Sequence, residues 1–188
     1  MASTPQEYAA MNDELIVIFD VVKRLSAAGI PYMLTGSVAM NYYAVPRMTR
    51  DIDFVIEFSE SKLMKLEELF NANYYISPEA VKDALKYGTP FNLIHEESQI
   101  KVDCIIRKQS EYRLLEFSRR KTITLEDKDI FIVSKEDLML SKLVWAKDSH
   151  SQRQLDDVRN LAQTGYDREY LFPWSRSLGV SALFKECE

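Results

Sequence analysis

Apolar positions recur along the chain in two periods, and the changes between them mark its elements. Thr4-Pro5-Gln6-Glu7 has the form of a capping box with proline at the first helical position, and the helix it opens is expected to run to about Ala28 and end at Gly29. Strands are expected to begin near Tyr32 and Asp51, separated by Gly36-Ser37 and a short helix over Val38 to Tyr43. A helix from about Ser61 to Asn71 sets Leu63, Leu66, Leu69 and Phe70 on one face, followed by a short strand at Tyr74 to Ile76 and a helical turn from Pro78 to Lys86. Phe91 to His95 and Ile100 to Ile106 read as a hairpin closed by Glu96-Glu97-Ser98-Gln99. A helix near Tyr112 to Phe117 and strands at Thr122 to Leu125 and Ile130 to Val133 precede an all-helical final third. Ser134 caps the first of its helices, and Gly165 ends the next. The fold class that follows is α/β (α+β), a mixed β-sheet flanked by helices. Residues 1–133 would form the sheet core and residues 134–188 the helices packed on it.

Composition narrows the setting. At 188 residues and 46% hydrophobic content the chain can bury a real core. No apolar run reaches the ~18 residues of a membrane span, and no basic segment followed by an apolar one opens the chain, so a cytoplasmic address is expected. Cys104 and Cys187 are too few and too far apart in sequence for a disulfide framework or a cysteine-ligated zinc. The net charge of −5 argues against a broad nucleic-acid footprint. Arg47, Arg50, Lys101, Arg107, Lys108, Arg119, Arg120 and Lys121 could still line a local cleft, although Arg119-Arg120-Lys121 reads more simply as a solvated turn.

The run Thr49-Arg50-Asp51-Ile52-Asp53-Phe54-Val55-Ile56 holds the chemistry. Side chains alternate along a strand, so Asp51 and Asp53 project together while Ile52, Phe54 and Ile56 take the other face. Aspartate is depleted from strands, and two carboxylates so close repel unless a cation stands between them. A hard divalent ion, Mg²⁺ or Mn²⁺, takes oxygen ligands and keeps positions for water and substrate phosphate, which suits phosphoryl transfer. Gln99-Ile100-Lys101-Val102-Asp103-Cys104-Ile105-Ile106 is built alike, with Asp103 opposite the apolar face. If the two strands are neighbours, Asp103 completes a three-carboxylate cluster. Gly36-Ser37 stands at a strand-to-helix turn, where glycine lets backbone approach a ligand and a helix N-terminus offers N–H groups to phosphate.

Gly36-Ser37, Asp51-Ile52-Asp53 and Asp103, in that order, resemble the DNA polymerase beta-type nucleotidyltransferase superfamily. Leu34-Thr35-Gly36-Ser37-Val38-Ala39 and Thr49 to Phe54 are similar to its AbiEii/AbiGii toxin-like branch. Ser134 to Leu143 resembles that branch's third motif, which implies that Lys142 reaches the nucleotide phosphates. Gln154 to Arg159 resembles its fourth, which carries an acidic residue matched by Asp157, with Asp156 as the fallback. The resemblance implies a nucleotidyltransferase fold and a metal-dependent enzyme that moves a nucleoside monophosphate from a nucleoside triphosphate (NTP) to an acceptor with release of pyrophosphate. Asp51, Asp53 and Asp103 would bind metal, and Asp51, Asp53, Asp103, Lys142 and Asp157 would be catalytic. Gly36, Ser37, Arg50 and Lys142 would bind nucleotide. The acceptor could be tRNA or other RNA, a protein or a small molecule such as an antibiotic, and a cognate antitoxin is an implied partner. The chain is short for full-length toxins, which weighs against the toxin role and the tRNA acceptor but not against the transfer chemistry.

Plainer readings stand beside these. Asp-x-Asp often marks a solvated strand end, Lys142 could be a surface lysine, and Asp156 and Asp157 could be the polar face of an amphipathic helix with Leu155, Val158 and Leu161 inside. His95 and His150 read as ordinary strand and loop residues, and Tyr166, Tyr170, Phe172 and Trp174 as core or partner surface. The alternative function is a catalytically silent module that keeps the fold for protein contact. Retention of all three carboxylates favours the enzyme.

Overall fold

The computed structural model describes residues 5–49, 51–59, 61 and 63–188. Thr4 of the expected capping box and Arg50 lie outside them. In chain order the elements are α1 (Pro5–Ala27), β1 (Tyr32–Thr35), α2 (Gly36–Tyr43), β2 (Asp51–Ile56), α3 (Leu63–Phe70), β3 (Tyr74–Ile76), α4 (Pro78–Tyr87), β4 (Phe91–His95), β5 (Lys101–Ile106), α5 (Glu111–Ser118), β6 (Lys121–Leu125), β7 (Lys128–Ile132), α6 (Lys135–Ser149), α7 (Gln152–Gln163), α8 (Arg168–Ser177) and α9 (Ser181–Lys185). The mixed α/β class expected from the sequence is the one observed. The last strand begins and ends earlier than its apolar run suggests, because Lys128 pairs with Leu125 across the β6–β7 hairpin and adds polar residues to the ladder.

The strands form one sheet in the order β3-β4-β5-β2-β1-β7-β6. β2 runs parallel to β5 and antiparallel to β1, and β1 is parallel to β7. All four residues of β1 are buried, so this strand is covered on both faces and reads as an apolar run rather than an alternation. β2 alternates instead: Ile52, Phe54 and Ile56 are fully buried and Asp51, Asp53 and Val55 take the other side. A continuous core joins Ile52, Phe54, Val102 and Phe91 of the sheet to Leu138, Leu143, Val158 and Phe184 of the later helices.

Helix ends follow local chemistry. Ser134 Oγ accepts the Asp137 N–H and caps α6, and Ser77 caps α4 through the Ala80 N–H. Gly29 and Gly165, the expected helix ends, both have positive φ. The Arg119-Arg120-Lys121 run departs from the solvated turn expected of it. Arg119 Nε donates to the buried Asp137 carboxylate at 3.1 Å and its guanidinium lies 3.7 Å from the centre of the Tyr170 ring. Arg120 lies over Phe117 and Phe131, and Lys121 opens β6. Delocalised guanidinium stacks on rings at low desolvation cost, which the charge run alone does not reveal. Tyr166, Tyr170, Phe172 and Trp174 pack partly buried against the core.

Candidate active site

The site is assembled on the polar face of β2 and β5. Parallel pairing sets Asp53 opposite Asp103 and Asp51 opposite Lys101, while Thr35 at the end of β1 faces Asp53 from the other side. The neighbouring of β2 and β5, on which a three-carboxylate face depends, is therefore present. Asp53 is the inner member: burial first, then the charges of Asp103 and Asp51, push its carboxyl up to about 6.

Gly36 lies directly over Asp53. Its φ is +65°, and a Cβ there would stand 1.9 Å from Asp53 Oδ2. Glycine is required at this turn for its conformation and for the space the carboxylate takes. Gly36 and Ser37 open α2, and the Thr35 side chain makes no capping hydrogen bond to it.

A second cluster borders the same turn. Arg47 grips Asp157 through two hydrogen bonds of 2.7 Å each and donates to Ser37 Oγ at 2.6 Å. Lys142 Nζ donates to Asp157 Oδ2 at 2.7 Å and to Gln154 Oε1 at 3.2 Å. Both partners of this ion pair are buried, at 5% and 4% side-chain exposure. Burial lowers the Lys142 ammonium below its usual range despite Asp157. Burial alone would raise the Asp157 carboxyl, but the hydrogen bonds of Arg47 and Lys142 outweigh it and hold the group low. Arg47 is itself fixed by Asn41, which accepts from the Arg47 N–H and donates to its carbonyl. Asn160 of α7 holds the same loop through the Val45 backbone.

Thus Asp51, Asp53, Asp103, Gly36 and Ser37 come to one end of the sheet, and Lys142 and Asp157 join them through Arg47. Asp156, the fallback, is exposed and pairs with Arg159 on its own helix. Three residues of the network were not singled out by sequence. Arg47 and Lys101 figured as cleft cations, with Lys101 also on the Asp103 face, and Gln154 only as the first residue of the run around Asp157. The legible signal for Lys101 was its place two residues before Asp103, on the same face.

Among the described residues no three His, Cys, Asp or Glu side chains are grouped closely enough to hold a metal ion. Lys101 Nζ lies between two of the candidates, 3.4 Å from Asp51 Oδ1 and 3.1 Å from Asp103 Oδ2. The donor set still fits a hard divalent cation in its chemistry. Asp103 Oδ1 is buried with no hydrogen-bond partner among the described residues, and Asp53 holds its proton unusually tightly beside two further carboxylates. Each is a condition that a bound cation relieves.

No family model and no curated protein matches the chain. Solved structures do match it. The antibiotic-resistance factor ANT(2'')-Ia is similar with a TM-score of 0.62 and 14% identity, over 93% of this chain and 96% of that one. Its complex with adenylyl-2''-tobramycin gives 0.60 and 16%, over 89% and 97%. The lincosamide antibiotic adenylyltransferase LnuA, lincomycin-bound, gives 0.52 and 17%, over 81% and 96%. An antigenic nucleotidyltransferase-like protein from Paracoccidioides brasiliensis gives 0.56 and 17%, over 92% and 93%. The chain has the fold of these nucleotidyltransferase-like proteins.

Proposed function

We propose that this protein is a metal-dependent nucleotidyltransferase that moves a nucleoside monophosphate from an NTP to an acceptor hydroxyl and releases pyrophosphate. The observation that carries the reading is the stacking of Gly36 on Asp53, with Asp103 beside Asp53 on the next strand. A phosphate-approaching turn and the three carboxylates would then serve one site. Asp51, Asp53 and Asp103 would hold Mg²⁺ or Mn²⁺, which when bound supplies neutralisation of charge on the transferring phosphoryl group and on attacking and leaving oxygens.

The protein's own groups do the rest. Backbone N–H groups of Gly36 and Ser37 orient the triphosphate at the start of α2. Arg47 and Lys142 present two cations to the same phosphates. Asp157 touches neither nucleotide nor acceptor in this scheme; it aligns Arg47 and Lys142 and is a positioning residue. Residues 1–133 would then carry the carboxylates, and residues 134–188 would supply the wall of the cleft that bears Lys142.

Of the acceptors in play, an RNA end, a protein or a small molecule, we favour the small molecule. The likeness to ANT(2'')-Ia runs over 93% of this chain, so it includes helices beyond the sheet, and that protein's complex holds adenylyl-2''-tobramycin. A net charge of −5 also suits a cationic or neutral acceptor better than a polyanion. A role in a toxin–antitoxin pair would require the RNA or protein acceptor instead.

The test is incubation with each α-labelled NTP and Mg²⁺ or Mn²⁺, in separate arms with aminoglycosides, lincosamides, total RNA, or the protein alone. Label on a small molecule is the expected result. Label on RNA or protein overturns the acceptor choice, and no label in any arm, together with no NTP binding, overturns the enzyme in favour of a silent module.

A further inference from the structure

Asp51 pairs with Lys101 and Asp53 with Asp103 across β2 and β5, so one face of two adjacent strands carries a square of three carboxylates and one ammonium. Lys101 Nζ bridges Asp51 Oδ1 and Asp103 Oδ2. It leaves Asp103 Oδ1 buried and without a hydrogen-bond partner among the described residues. A lysine ammonium is a compact point charge on a flexible four-carbon stem, and this side chain is 39% exposed, so it has a short route out to solvent. One positive charge shared by two of the three carboxylates on this face holds them only in part. A divalent cation in the same place would meet more oxygens with more charge.

We infer that Lys101 is a built-in, displaceable counter-cation of the carboxylate site. It stands between Asp51 and Asp103, swings out when a divalent cation enters, and thereby sets the affinity for that cation. This rests on the reading of Asp51, Asp53 and Asp103 as metal ligands. The device lets the folded protein tolerate three neighbouring carboxylates before metal arrives, at the cost of a weaker site for free metal. An arginine would keep the charge; an apolar side chain of similar length would remove both the competitor and the support.

The experiment measures Mn²⁺ binding in the absence of nucleotide, by the electron paramagnetic resonance signal of free Mn²⁺, for the wild type, Lys101→Met, Lys101→Arg and Asp53→Asn. Thermal melting with and without Mn²⁺ is followed in parallel. Lys101→Met is expected to bind Mn²⁺ about three- to tenfold more tightly than the wild type, the equivalent of removing competition from two partly exposed ion pairs. It is also expected to melt lower without metal and to gain more from Mn²⁺, while Lys101→Arg stays near the wild type. Lys101→Gln replaces Lys101→Met if the latter does not fold. Equal or weaker binding by Lys101→Met, with binding by the wild type abolished in Asp53→Asn, overturns the role of Lys101 and leaves the metal ligands standing. Absence of Mn²⁺ binding in wild type and Lys101→Met alike overturns both.

Discussion

Gly36 covers the Asp53 carboxylate so closely that a Cβ on the glycine would lie 1.9 Å from Oδ2 and 2.5 Å from Cγ. Neither atom is the free end of a long side chain, so alanine at this position must push the carboxylate or the turn aside. The left-handed backbone adds about 1–2 kcal/mol of strain for any residue with a Cβ. Gly36→Ala is therefore expected to lower the melting temperature modestly and to reduce nucleotidyl transfer by about 10²-fold, the cost of misplacing a catalytic group by about 1 Å. Calorimetry of NTP binding separates the two effects, and unchanged NTP affinity and turnover in Gly36→Ala would remove the turn from the site.

Asp53 gives the protein an unusual pH signature. Its folded-state value of about 6 lies above the roughly 3.9 of a free aspartate, so the folded chain binds the proton more tightly than the unfolded one. Below about pH 4 both states are protonated and the shift contributes nothing. Between about pH 4 and 6 the unfolded carboxyl ionises while the folded one still holds its proton, so stability falls by on the order of 1–3 kcal/mol, and the loss is complete once the folded group ionises against Asp103 and Asp51. In a chelating buffer the melting curve of Asp53→Asn minus that of the wild type should grow from about zero at acid pH to its full value above neutrality. A difference that is flat with pH, or of opposite sign, contradicts this account.

The sequence displayed the site's local parts and concealed their assembly. Alternation made Asp51 and Asp53 share a face because Ile52, Phe54 and Ile56 leave only one apolar side, and all three are fully buried. The same logic isolated Asp103. Strand order is different in kind: pairing Asp53 with Asp103, and inserting β1 between β2 and β7, depends on packing between segments distant in the chain. The choice between Asp156 and Asp157 is likewise a matter of helix phase against Arg47, which no local pattern encodes. Lys101 was visible as a charge beside Asp103, but its bridge to Asp51 exists only once the register is known. Charge runs misled in the other direction at Arg119, where a buried carboxylate and a tyrosine ring turn a polar triplet into an internal contact.

The Lys142–Asp157 pair makes a prediction about stability that separates the two neighbouring aspartates. Truncating one partner of a buried pair leaves the other charge uncompensated and costs about 3–5 kcal/mol. Asp157→Ala is expected near that range, because Lys142 and Arg47 both lose their acceptor. Asp156→Ala removes only an exposed contact with Arg159 and should fall within about 0.5 kcal/mol of wild type. Combining Asp157→Ala with Lys142→Met should recover part of the loss, since no buried ammonium then remains. Urea denaturation of the four proteins reads this directly, and equal effects of the two single aspartate changes would contradict the assignment.

Asp103→Asn tests whether the carboxylate face exists for chemistry or for folding, because the two roles demand opposite signs. Asp103 adds to the burden on Asp53, and its own Oδ1 is buried without a partner among the described residues. An amide there removes one of three mutually repelling charges, so the metal-free variant should melt at the same temperature as the wild type or above it. Its loss as a ligand should cut transfer by about 10²–10³-fold, the scale seen when one preorganised charge-stabilising group is removed. Groups that cost stability and supply activity are the mark of a functional site. A variant that loses stability while keeping its turnover would instead make Asp103 a structural partner of Lys101, and the chemistry would have to be carried by Asp51 and Asp53 alone.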